Sequence, residues 1–153
     1  MRRGFTLIEL LVVIAIIALL SAVVLSALNN ARSRARFTTA YDQMREIGKA
    51  AELDYDNRGK YAPDLYRDLN PGFNNLTGWP KPPCPGWTYD WDTSPTISST
   101  RITLRRNVVS ASGSGVYYYC IAANPATGNC DSPGFDSAAD IRNVSDKVLT
   151  CNE

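Results

Sequence analysis

From residue 5 to residue 28 the chain is an almost unbroken run of Leu, Ile, Val and Ala. Thr6, Ser21 and Ser26 are mild polar members, and Glu9 is the one charged position. A helix over this run would be about 36 Å long at 1.5 Å per residue, enough to cross a hydrocarbon core of about 30 Å. From residue 29 to residue 57 the pattern changes. Phe37, Ala40, Tyr41, Met44, Ile47 and Ala51 recur at intervals of three and four, the apolar stripe of an amphipathic helix. Asp42 with Arg45, and Glu46 with Lys49, are spaced to pair on its outer surface. "DNRGKY" stops the helix, with Gly59 as the C-terminal cap.

Residues 60–86 are rich in Pro, Gly and Asn and read as an irregular connection. Strand patterns follow in "WTYDW" (87–91), "TRITLRR" (100–106) and "VYYYCIA" (116–122). In the second, Ile102 and Leu104 alternate with Arg101, Thr103 and Arg105, as in a strand with one buried face. "NVVSASGSG" joins the second strand to the third as a flexible hairpin loop. Residues 130–151 fit a short helix or another strand. The fold class is α+β, a long helix packed on a small antiparallel sheet.

Composition narrows the chemistry. The 153 residues carry 16 basic and 15 acidic side chains, a net charge of +1, so nothing points to bulk attraction for nucleic acid. Histidine is absent, which removes Ser-His-Asp and Cys-His catalysis and His-bearing zinc sites. No nucleophile elbow, phosphate loop or paired ligand motif is found, so the chain is not expected to be an enzyme and no cofactor is implied. Cys84, Cys120, Cys130 and Cys151 all follow the apolar run and contain no CxxC pair. After a secretory-type N-terminus they read as two disulfides formed in an oxidising compartment. The favoured pairing is Cys84 with Cys120 and Cys130 with Cys151, the latter tying the C-terminal segment to the sheet. Cys120 with Cys130 across a short loop is the rival.

Arg2 and Arg3 precede the apolar run as the basic end of an export signal does. No small-x-small cleavage site follows it, and the helix is expected to be retained. Arg32, Arg34 and Arg36 at its far end leave the charge rule for orientation undecided. The cysteines favour an exported C-terminal part.

Glu9 remains to be explained, because a carboxylate in hydrocarbon costs about 2.5–3.5 kcal/mol on insertion scales. Its context, "RGFTLIELLVVIAII", closely resembles the N-terminal signature of type IV prepilins and the pseudopilins of secretion systems. The resemblance implies a membrane peptidase that cuts after Gly4 and methylates the new N-terminus at Phe5. It implies a pilin fold with residues 1–4 as leader, 5–28 as transmembrane and assembly helix, 29–57 as its amphipathic half, and 58–153 as a β-rich, disulfide-linked head. Glu9 would occupy the position at which the family keeps a glutamate. There it would neutralise the Phe5 amine of a neighbouring subunit and set its register. The alternatives are neutralisation within one subunit, or a glutamate snorkelling to the interface. Many major pilins carry a proline near the middle of this helix. None occurs here, so a straighter helix is expected.

The implied product is a filament built from copies of this chain. The precursor is held in the inner membrane, trimmed by the prepilin peptidase, and added by inner-membrane assembly machinery to an extracellular or periplasm-spanning polymer. A pseudopilin of a type II-like secretion system and a DNA-uptake minor pilin are the alternatives within the family. A monomeric binding protein using the helix only as an anchor is the alternative outside it.

Other candidates are weaker. The stretch starting at Asp54 and Asp56 resembles a calcium loop but puts Arg58 and Leu65 where ligands belong. Asp131, Asp136 and Asp140 are weak calcium candidates in the region where some pseudopilins bind that ion. Arg101, Arg105 and Arg106, aided by Trp79, Trp87 and Trp91, could contact DNA, although a solvated basic face over core tryptophans is the commoner arrangement. The Arg32, Arg34 and Arg36 band faces anionic headgroups or the Glu52, Asp54 and Asp56 band of a staggered neighbour. Asn75-Leu-Thr and Asn143-Val-Ser are formal glycosylation acceptors.

Overall fold

The computed structural model describes residues 5–65, 69–94, 99–106, 115–123, 125, 126, 128, 130 and 138–151. One helix, α1, runs from Leu7 to Arg58 without a break, 52 residues and therefore about 78 Å. The first proline in the chain is Pro63, so nothing inside α1 removes a backbone donor. Gly59 ends the helix with φ 70°, the left-handed conformation that costs glycine no Cβ clash, and its N–H donates to the Tyr55 carbonyl.

Phe37, Ala40, Met44, Ile47 and Ala51 form the buried stripe of α1, as the three-and-four spacing requires. Tyr41 is half-buried beside them and meets Tyr119 edge to face. Asp54 also falls on the buried side, where Arg58 one turn on pairs with it at 2.8 Å. The expected Asp42–Arg45 and Glu46–Lys49 ion pairs do not form. These side chains are solvated, and holding two long exposed chains together gains little in water.

Among the described residues, the sheet that receives the stripe has four strands in spatial order β1-β2-β3-β4. β1 (Trp87–Ser94), β2 (Ser99–Arg106) and β3 (Gly115–Ala122) form an antiparallel meander, and β4 (Ala139–Asp140) runs parallel to β3. The described part of the ambiguous segment, 138–151, forms a two-residue strand followed by turns, and residues 131–137 lie outside the described residues. The expected hairpin loop at 107–114 lies outside the described residues.

Tyr89, Trp91, Ile102 and Leu104 point from the sheet toward α1, and all are fully buried. Phe73 closes the core edge to face on Trp91, with ring centroids 4.9 Å apart. Gly48 is packed tightly against the sheet, where an added Cβ would sit 3.1 Å from the Tyr119 ring. The last described segment returns to the helix. Leu149 donates its N–H to the Ser33 carbonyl, and Tyr117 donates its hydroxyl to the Val148 carbonyl.

The opposite face of the sheet departs from expectation. Arg101, Thr103 and Arg105 are buried, as Ile102 and Leu104 are on the other face. The register sets Asp92 across from Arg101 and places Asp90 diagonal to Arg105. Opposite charges arranged in this way can be buried together because each compensates the other.

The disulfides also differ from the favoured pairing. They join Cys84 to Cys151 and Cys120 to Cys130. Sheet register explains why. Cys84 precedes Trp87, which pairs with Arg106, whereas Cys120 pairs with Arg101 at the far end of β2. Five residues of strand separate those levels by about 17 Å, far beyond the reach of a disulfide.

Candidate functional site

Thr6 sits in extended conformation just before α1 and caps it. Its hydroxyl accepts from the Glu9 N–H, while the Glu9 carboxylate reaches back to the Thr6 N–H at 2.9 Å and the Thr6 hydroxyl at 2.7 Å. This reciprocal arrangement is a capping box, which satisfies donors that helix geometry leaves open. A carboxylate in the first turn also opposes the positive end of the helix dipole. Both returning bonds end on Oε2 of Glu9, and Oε1 has no hydrogen-bond partner among the described residues.

Every described side chain from Phe5 to Leu28 is exposed. Phe5 and Leu7 are 77% and 81% accessible, although a soluble protein would bury them. An uninterrupted apolar surface of this size marks a lipid or protein contact. The segment is long and apolar enough to cross a membrane. Gly4, and with it the bond expected to be cut, lies outside the described residues.

The remaining candidates are dispersed. All four cysteines are in disulfides. Asp140 is held by Arg142 through both carboxylate oxygens, which lowers its pKa despite partial burial. Asp131 and Asp136 lie outside the described residues. The basic face expected at Arg101 and Arg105 is buried against carboxylates. Arg105 meets Asp90 at 2.5 Å, and Arg101 lies 3.6 Å from Asp92 and over the Tyr118 ring. Arg106 is placed over Trp87.

Burial raises the pKa of Asp92 to about 6, with neighbouring Asp90 adding to the shift. The Thr103 hydroxyl, donating at 2.6 Å, and the two arginines oppose it. Desolvation lowers the Arg101 pKa in turn, partly offset by Asp92. This acid–base lattice was readable as two alternations, Asp90 and Asp92 in one strand and Arg101 and Arg105 in the next.

Residues 1–25 match the family model described as the prokaryotic N-terminal methylation motif. No curated protein and no solved structure matches the chain. The motif is the class III signal peptide of type IV pilins. Together with one long helix on a four-stranded sheet, it supports a type IV pilin or pseudopilin protein, a structural class, made as a membrane-anchored precursor.

Proposed function

We propose that this protein is the structural subunit of a type IV pilus-like filament, cleaved after Gly4, methylated at Phe5 and polymerised through the helical surface from Phe5 to Leu28. The observation that carries the reading is the Thr6–Glu9 box, a charged cap on an otherwise apolar and wholly exposed helix. In lipid the Leu, Ile and Val side chains are already satisfied, so moving them against neighbouring helices gains packing and little hydrophobic energy. Glu9 differs from them. Its charge costs about 2.5–3.5 kcal/mol at depth on insertion scales, and an ammonium group from another subunit relieves that cost. Oε2 is engaged by Thr6, which leaves Oε1 to accept the Phe5 amine of an incoming copy. The subunit can therefore exchange a solitary charge for a paired one without giving up its helix cap.

Intact mass of membrane-extracted protein, with and without a prepilin peptidase, tests the reading when filament recovery is scored beside it. The expected result is loss of residues 1–4, gain of one methyl group, and a Glu9→Ala variant that is processed but poorly assembled. An uncut chain that stays monomeric would overturn it.

A further inference from the structure

The solvent side of the lower half of α1 carries two charged bands. Arg32 and Arg34 are exposed and Arg36 is half-buried at one end, while Glu52 and Asp56 are exposed at the other. Neither Arg32 nor Arg34, nor Glu52 nor Asp56, belongs to an ion pair among the described residues. Asp54, the third acid expected in this band, is instead buried and paired with Arg58. Arg34 and Glu52 are eighteen residues apart. That spacing is about five turns at 3.6 residues per turn, so both project at the same azimuth about 27 Å apart along the axis.

Two surroundings can compensate the arginine band, and only one can compensate both bands. Anionic headgroups can reach arginines that begin a turn beyond Leu28. Glu52 lies about 36 Å further along the helix than Leu28, out of reach of any headgroup, and lipid phosphate would repel it. A second copy of the chain satisfies both ends. α1 is continuous, so assembly of residues 5–28 into a bundle brings the rest of the helix into that bundle. Charges drawn into such a crowded space need partners of opposite sign.

We propose that the Glu52 and Asp56 band of one subunit seats on the Arg32, Arg34 and Arg36 band of a second copy displaced about 27 Å along the helix axis. The inference rests on the filament reading and adds a second register to the one at Glu9. On leaving the bilayer, the arginines exchange lipid phosphate for protein carboxylate. The bands thus favour the assembled position over the membrane-resident one.

Charge reversal tests this in filaments sheared from cells. Arg34→Glu and Glu52→Arg, both exposed and both replaced by good helix formers, should each be processed normally and cut filament yield by about tenfold or more, because like charges then face each other. Combining the two substitutions should restore most of the yield. A combined variant as defective as either single one, with the leader removed and both disulfides intact, would overturn the pairing. So would single variants that assemble like the parent. Arg34→Glu protein that loses vesicle binding, with no rescue by Glu52→Arg, would assign the arginines to lipid alone and likewise overturn it. An unaltered protein that is processed yet yields no filament would bring down the filament reading, and this inference with it.

Discussion

Thr6 and Glu9 hold each other from both directions, hydroxyl to backbone amide and carboxylate to backbone amide, at the start of a helix that is otherwise apolar for five turns. The carboxylate thus does two jobs that substitutions can separate. Glu9→Gln keeps a capping acceptor and loses the charge; Thr6→Ala loses the reciprocal hydroxyl and keeps the charge. Glu9→Gln should be cleaved normally and assemble poorly. Thr6→Ala should loosen the first turn by about 1 kcal/mol, seen as faster amide exchange at residues 6–9 in micelles, with assembly largely retained. Equal assembly defects in the two variants would mean that the cap, and not the charge, limits assembly.

At Gly48, α1 packs tightly against the Tyr119 ring of the sheet. Gly48→Leu should lower the stability of the head by about 1–3 kcal/mol in thermal unfolding, because Tyr119 stands in the way of the new side chain. Gly48→Ala should be close to neutral. Its helix-propensity gain of about 1 kcal/mol is set against one tight contact.

Asp90 and Asp92 predict different behaviour despite their adjacency on one face. Asp90→Ala removes the carboxylate that meets buried Arg105 and should cost about 3 kcal/mol or more. The pKa of Asp92 is raised from 3.8 to about 6. The folded state therefore binds a proton more tightly than the unfolded chain. The stabilisation this gives is complete below 3.8 and lost as pH rises through 6. Relative to Asp92→Asn, the parent should gain stability as pH falls through that window. Parallel melting curves for the two proteins against pH would refute it.

The disulfides should contribute unequally. Cys84–Cys151 spans 67 residues and Cys120–Cys130 spans 10. Loop entropy alone gives about 4 and about 3 kcal/mol respectively. Replacing the first pair with serines should therefore lower the melting temperature further than replacing the second. Peptide mapping of the oxidised head should return these two pairs.

The parts of the fold legible from sequence were those governed by local period. The stripe from Phe37 to Ala51, the stop at Gly59 and the three long strands all follow from spacing within one segment. What stayed hidden depends on partners that are distant in sequence. Arg101 and Arg105 alternate with Ile102 and Leu104, which reads as a wet face until Asp90 and Asp92 are registered across from them. Cys84 and Cys151 meet only because the closing segment returns to the start of the amphipathic half. Thr6-x-x-Glu9 has the spacing of a capping box, but in an apolar run the cost of the charge is the stronger signal and the local partner the weaker one.

The bond from Leu149 to the Ser33 carbonyl, with Cys151 joined to Cys84 just beyond it, has a mechanical consequence. A pull on the outer surface of the head reaches α1 by two routes, through the chain at Gly59 and, near the helix midpoint, through the hydrogen bond that the disulfide-anchored closing segment makes with Ser33. Tension along a fibre would load that contact in shear, and the Cys84–Cys151 bond keeps the closing segment tied to the head so that Leu149 stays seated on α1. Reducing agents should therefore weaken the fibre under stretch at forces where it survives at rest.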